Sequence, residues 1–200
     1  MQRRARAALA ILLALVVGVA VAGCGADSAH DAMGHDDMPM SHASEQMGTG
    51  RQADVMFTQQ MIPHHQQAVA MADLALDPAH EASPTVKDLA TRIKTAQTAE
   101  IADMNGWLEA WGADPVSGGM MDHEGMGMMS GADMTALENA TGADFDRLWL
   151  EGMIQHHEGA LMMASHVADR GDDPRVQKLA QVIDASQTAE IAEMKQLLGQ

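Results

Sequence analysis

The spacing of apolar residues predicts four long helices in the C-terminal part of the chain. From about Gln52 onward, apolar side chains recur at three- and four-residue intervals, the period of one helix face. Ser83 and Asp173 each precede a proline and suit the N-cap position, so two of the helices are expected to begin there. The predicted helices run from about Gln52 to Asp77, from Ser83 to Trp111, from Ala143 to Asp169 and from Pro174 to Leu198.

A proline inside the first predicted helix conflicts with this pattern. Pro63 has no backbone N–H to donate, and proline costs about 3 kcal/mol in a regular helix interior. We therefore expect either a kink at Pro63 or a helix that restarts there.

The helical part of the chain is an internal repeat. MIPHHQQAVAMA at 61–72 recurs as MIQHHEGALMMA at 153–164, and QTAEIADM at 97–104 recurs as QTAEIAEM at 187–194. The offsets are 92 and 90 residues. This duplication predicts an all-α four-helix bundle, made of two helical hairpins joined by one long connection. The predicted bundle domain is 51–200, with repeat one at 52–112, a linker at 113–142 and repeat two at 143–200.

Polar residues occupy the same places on the apolar faces of both repeats. Buried polar groups are costly unless they are paired, so these positions have a purpose. One interpretation is a metal site lined by imidazole, carboxylate and thioether groups; the other is a network of His–Glu and His–Gln hydrogen bonds, with methionine as core filler. The candidate ligands are His64, His65, Met71, Glu100 and Met104, with His156, His157, Met163, Glu190 and Met194.

Two further segments carry methionine and histidine without any helical period. They are a tail at 24–50, predicted to be a disordered tether, and the linker at 113–142. Core packing does not explain methionine in such segments, whereas thioether and imidazole groups suit Cu(I) and Ag(I). Copper, with Cu(I) favoured, or silver is therefore the predicted metal. The candidate ligands here are His35, Met38, Met40, His42, Met120, Met121, His123, Met126, Met128 and Met129.

The N-terminus has the pattern of an export signal. Arginines at positions 3, 4 and 6 precede an apolar stretch, and Val21-Ala22-Gly23 stands directly before the chain's single cysteine, Cys24. This arrangement predicts a signal peptide at 1–23 and lipid attachment at Cys24, which would anchor the protein to the outer face of the cell membrane. The alternative is an ordinary signal peptide with an incidental cysteine.

The charge of the chain bears on its partners. A formal net charge of −16 disfavours nucleic acid and attracts cations. Metal ions and a membrane, through the lipid anchor, are thus the predicted partners; a protein partner is not identified by the sequence. We find no nucleophile motif and no phosphate-binding loop, and we predict that the protein is not an enzyme.

The doubled M-I-x-H-H-x-x-A-x-x-M-A and Q-x-x-E-I-x-x-M segments resemble the domain of unknown function 305 family. The resemblance covers Gln52 to Gln200. It implies a ferritin-like four-helix bundle in a secreted or periplasmic protein, and some members are linked to copper or silver binding and tolerance. No established catalytic activity comes with the family.

Three functional hypotheses follow. The first is an extracytoplasmic metal-binding lipoprotein that holds copper or silver for sequestration or tolerance. The second is a non-metal cell-surface bundle with structural His–Glu pairs and a protein partner. The third is a metal-dependent oxidase, which is disfavoured because di-iron bundles use a Glu-x-x-His step and no glutamate in this chain has a histidine three residues later.

Overall fold

The computed structural model describes residues 48–115 and 126–200, and within these ranges it is entirely helical. The all-α prediction is confirmed. Four long helices form two hairpins, α1 with α2 and α4 with α5, and the hairpins meet where α1 packs on α4. The helices are α1 (Thr49–Leu76), α2 (Pro84–Trp111), α3 (Gly131–Asn139), α4 (Gly142–Ala168) and α5 (Pro174–Leu197), with a 3-10 turn at Pro78–His80.

The predicted helix starts are confirmed at the second helix of each hairpin. The Ser83 hydroxyl accepts a hydrogen bond from Val86 N–H, and the Asp173 carboxylate accepts one from Arg175 N–H. Each start is also held by an aspartate from the other hairpin. Asp146 on α4 accepts from Ser83 N–H at 3.1 Å, and Asp54 on α1 accepts from Asp173 N–H at 2.9 Å. The repeat thus extends to the contacts that join the two hairpins.

One expectation requires correction, and one of the two alternatives at Pro63 is excluded. The segment 113–142 contains a short fifth helix, α3, which the sequence analysis assigned to the linker; it is capped by Ser130 and buries Leu137. Nine residues are too few for a clear period, because only one or two of them can face the core. The helix does not restart at Pro63 either: α1 is continuous from Thr49 to Leu76. Buried neighbours on both sides of Pro63 hold the helix through it.

The α1–α4 contact is antiparallel, and Trp149 fixes its register. The buried indole Nε1–H of Trp149 donates to the carbonyl oxygen of Met71 at 2.9 Å. The same alignment brings His64 of α1 beside His156 of α4. These two residues are 92 apart and therefore equivalent in the repeat, so they lie next to the pseudo-twofold axis of the bundle.

The apolar core consists of two clusters. One contains Met71, Trp149 and Met194, and the other contains Met61, Met104 and Met163. The buried histidines and glutamines of both repeats belong to neither cluster. Among the described residues, no helix is both long and apolar enough to cross a membrane.

Candidate metal centre

We call the buried polar residues between the two apolar clusters, together with Glu100 and Glu190, the polar layer; the buried members are His64, His65, Gln97, His156, His157 and Gln187. Two equivalent His–Glu pairs form its outer parts. His65 Nε2 lies 2.7 Å from Glu100 Oε2, and His157 Nε2 lies 2.8 Å from Glu190 Oε2. Both histidines are fully buried, while the carboxylates are about 15% exposed. An ionised carboxylate only accepts hydrogen bonds, so Nε2 carries the proton in each imidazole. Nδ1 is left as the position that can ligate a cation.

The inner part of the layer is a pair of facing imidazoles. The ring centroids of His64 and His156 are 3.7 Å apart, with the planes inclined by 36°. His156 Nε2–H donates to the carbonyl oxygen of His64 at 2.8 Å. Burial, and then the proximity of His64, holds the pKa of His156 well below the usual 6.5. His156 is therefore neutral at physiological pH, and its Nδ1 keeps an unprotonated lone pair.

Several buried polar atoms of this layer have no hydrogen-bond partner within residues 48–115 and 126–200. They are Nδ1 of His65, His156 and His157, both amide atoms of Gln97, and Oε1 of Gln187. An unsatisfied buried polar group costs about 1–3 kcal/mol. Most of these atoms are lone-pair donors to a cation, which is the chemistry a metal would satisfy. In the described part of the chain, however, no three His, Cys, Asp or Glu side chains converge closely enough to form a metal cluster by themselves.

A segment of the former linker lies over the histidine pair. We call residues 126–130 the seat segment. His64 Nε2–H donates to the carbonyl oxygen of Met126 at 3.0 Å. The Gln67 amide binds both backbone groups of Met129, accepting from its N–H at 2.8 Å and donating to its carbonyl at 3.0 Å. The seat segment of the linker is therefore in direct contact with the helix that carries His64 and His65.

Two glycines of α4 make room for the seat segment. A Cβ added at Gly159 would lie 1.8 Å from the carbonyl oxygen of Met126, and one added at Gly152 would lie 2.7 Å from Met129 Sδ. In repeat one, Gln67 stands at the position of Gly159, and Gln60 stands at the position of Gly152. Glycine in one copy where the other has glutamine is the sequence feature that could have predicted a segment packed on this face of α4.

The four predicted thioether ligands of the helices are core residues, and two of them lie far along their helix from the histidines. Met71 and Met163 are each seven residues beyond the first histidine of their pair, about 10 Å along the helix axis. Both are packed in the apolar core, as are Met104 and Met194. Met61 and Met153 are fully buried one turn before the histidine pairs, and the sequence analysis did not select them.

The remaining predicted site residues fall into two groups. Met126, Met128 and Met129 are half-buried in the seat segment. Met126 and Met129 pack against the apolar clusters, so the expectation that core packing does not explain the linker methionines is wrong for these two. The others lie outside the described residues: Cys24, His35, Met38, Met40, His42, Met120, Met121 and His123.

Comparison with known proteins identifies the helical part of the chain. The model of a domain of unknown function, DUF305, matches residues 54–198. A solved structure described as a putative secreted DUF305 protein from Streptomyces coelicolor is 34% identical, covers 74% of this chain and 91% of its own, and superposes with a TM-score of 0.67.

Another similar structure was solved with metal. CopM in its Cu(II)-bound form is 39% identical, covers 72% of this chain and 94% of its own, and has a TM-score of 0.63. It has also been solved in Cu(I)-bound and Ag-bound forms. Uncharacterized protein L153 of Acanthamoeba polyphaga mimivirus is 42% identical over 55 residues, which are 28% of this chain and only 36% of that protein.

Proposed function

The chain belongs to the DUF305 family, and from that premise we propose that it binds Cu(I) or Ag(I) outside the cytoplasm, as a sequestering or tolerance protein. The observation that carries the proposal is the similarity to CopM, which was crystallised with Cu(I), Cu(II) and Ag and is aligned over nearly its whole length. The donors that this chain places in its polar layer support the same chemistry.

The polar layer supplies the harder of the two kinds of donor. His65 and His157 each direct Nε2 to a carboxylate, an arrangement that orients an imidazole and raises the basicity of its other nitrogen toward a metal. His156, buried and bonded through Nε2 to a backbone carbonyl, adds a third imidazole Nδ1 without a carboxylate partner. Met61 and Met153, one turn away, are the nearest buried thioethers along the helices.

The linker supplies softer donors. Three of its methionines, Met126, Met128 and Met129, lie in the seat segment, where the Met126 carbonyl accepts a hydrogen bond from His64. We propose that Met120, Met121, His123, Met126, Met128 and Met129 raise the number of ions bound, while the histidines of the bundle set the affinity. A preorganised site avoids the ordering entropy that a flexible segment loses on binding. His35, Met38, Met40 and His42 would extend the capacity, and a lipid on Cys24 would hold the protein at the membrane.

An anaerobic titration of the full chain with Cu(I), against a chromophoric chelator, tests the proposal. We expect the protein to withhold at least one equivalent from micromolar chelator. Replacing the linker methionines with leucine should reduce the number of ions bound, and replacing His65 and His157 with glutamine should weaken the tightest site. Transfer of all the Cu(I) to the chelator by the unmodified chain would refute copper binding.

A second function, a bundle without metal, is favoured by one observation. The two His–Glu pairs are complete hydrogen bonds, and no third His, Cys, Asp or Glu joins them in the described residues. If the pairs are only structural, Glu100→Ala lowers the melting temperature by the same amount with and without Ag(I). If they orient ligands, Ag(I) raises the melting temperature of the unmodified protein and this gain is lost in the variant.

A further inference from the structure

A groove between the first half of α1 and the second half of α4 is lined with thioethers. It encloses about 500 Å³, and its wall includes Met56, Met126, Met162, Met163 and His166. Met56 is 50% exposed and Met162 is 60% exposed, whereas Met163 forms the buried floor. One end of the groove reaches Met126, whose carbonyl oxygen accepts a hydrogen bond from His64. The end that contains Met56, Met162 and Met163 lies about two turns from the histidines along the helix axis, since Met163 is seven residues beyond His156.

Packing explains the core methionines, including Met163, but it does not explain the exposed Met56 and Met162. A side chain that remains half exposed gains little from apolar burial, so its sulfur has no structural purpose there. The repeat gives an internal comparison. The equivalent of Met56 in repeat two is Leu148, and the equivalent of Met162 in repeat one is Ala70. The scaffold therefore accepts residues without sulfur at both positions.

We propose that this groove is a separate surface site for a soft monovalent cation, Cu(I) or Ag(I), held by the thioethers of Met56, Met162 and Met163. The proposal rests on the proposed function, because it assigns a further site for the same class of ion. Thioethers bind soft cations in preference to Na⁺, Mg²⁺ or Zn²⁺, and the groove is open enough for an ion to enter from solvent.

His166 is a secondary member of the site. Arg170 Nη1–H donates to His166 Nδ1 at 2.9 Å, so the proton of the neutral imidazole lies on Nε2. His166 can ligate only after Arg170 releases Nδ1. His166 and Arg170 are the titratable groups in the groove wall. Because thioethers do not protonate, binding by the three methionines should persist at pH 5.

Methionine-methyl NMR of the full chain, labelled with ¹³C at the methyl groups and titrated with Ag(I), tests the site. We expect the Met56, Met162 and Met163 methyl signals to shift, at pH 7 and at pH 5, while the Met71 and Met194 signals remain in place at pH 5. Met56→Leu with Met162→Leu should abolish the Met163 shift and lower the Ag(I) bound per chain by about one equivalent. Leucine keeps the apolar volume, so the fold is retained.

The outcomes separate this proposal from the function on which it rests. A matched control, Met71→Leu with Met194→Leu, should leave the Met163 shift and the bound Ag(I) unchanged. If the chain binds Ag(I) but the three groove signals do not move, the groove site is wrong and the function stands. If no methyl signal moves and no Ag(I) is retained after dialysis, both proposals are wrong.

Discussion

The two repeats of this bundle agree in their His–Glu pairs and differ at the surface where they meet. His65–Glu100 and His157–Glu190 have the same atoms in contact, and their distances differ by only 0.1 Å. His64 and His156 are also equivalent in sequence, but their partners differ. His156 binds the backbone of His64, whereas His64 binds the backbone of Met126. The symmetric scaffold therefore carries an asymmetric site.

The asymmetry follows from a few substitutions between the copies. Where repeat one has Gln67, repeat two has Gly159, and the seat segment uses the amide of the first and the empty space of the second. Because the histidine pair lies beside the pseudo-twofold axis, a second segment related by that axis would fall on the first. Duplication thus supplied equivalent histidines, and divergence at the axis brought the seat segment to one of them.

The largest effect is expected where the repeats are alike. Glu100→Ala and Glu190→Ala should each lower the free energy of unfolding by about 1.5–3 kcal/mol, because each leaves a buried imidazole N–H without its charged acceptor. Urea denaturation without metal measures both. Because the two pairs have the same atoms in contact, the two losses should be similar, and in the double variant they should add to within about 0.5 kcal/mol, as is usual for independent sites. If only one of the two variants lowers the free energy of unfolding, the two His–Glu pairs are not energetically equivalent.

Gly159→Ala tests the difference at the seat segment. The new Cβ would overlap the backbone oxygen of Met126, so we expect a loss of about 1–2 kcal/mol, as in other overpacked sites. Gly106→Ala is the matched control on α2, since no described atom outside its own helix turn lies within 4 Å of the added Cβ. The control should gain about 0.5–1 kcal/mol from helix propensity. Equal effects of the two substitutions would show that the seat segment does not rest on Gly159.

Much of this architecture follows from the sequence alone. The helical period, the proline-led starts at Ser83 and Asp173 and the duplicated histidines predicted the four long helices and the polar layer. Seven-residue spacing also placed Met71 on the same stripe as His64, but sharing a stripe over two turns does not bring side chains into contact. Spacing describes one helix at a time, whereas a ligand set depends on how helices cross.

The position of the seat segment could not be predicted from the spacing of residues within one helix either. Its position depends on long-range contacts from Gln67 and Gly159, each of which is unremarkable within its own helix. Only the comparison of the two copies marks them, because one copy has glutamine where the other has none. Met56 and Met162 were missed for a related reason: they lie off the repeated stripe and become neighbours only when α1 packs against α4.

The N-caps of α2 and α5 should differ in how their contribution to stability depends on pH. Asp173 begins α5 and Ser83 begins α2, but only Asp173 ionises, and the Arg175 side chain lowers its pKa to about 2. The stabilisation from this carboxylate is complete above its unfolded pKa of 3.8 and is lost as the pH falls toward 2. Because Arg175 is half exposed, solvent screening reduces the contribution to about 1–2 kcal/mol.

Asp173→Ser makes the second start like the first and isolates that contribution. The difference in unfolding free energy between the unmodified protein and the variant should be largest at pH 5–7 and should shrink between pH 4 and pH 2. Urea denaturation at each pH measures it, since the other carboxylates titrate equally in both proteins. Ser83→Ala is the control, and its cost should not vary with pH. If the loss of unfolding free energy in Asp173→Ser does not change with pH, the ion pair between Asp173 and Arg175 does not contribute to stability.

The smallest expected effect concerns the other side of the seat segment. Gln67→Ala removes two hydrogen bonds to the backbone of Met129, but the segment is only half-buried, so water can replace part of them. We expect a loss of about 1 kcal/mol and faster amide exchange at Met129. Gln66→Ala, at the exposed neighbouring position, should leave both quantities nearly unchanged. If Gln67→Ala leaves exchange at Met129 unaltered, the segment is held from the α4 side alone, and the repeats differ in one contact rather than two.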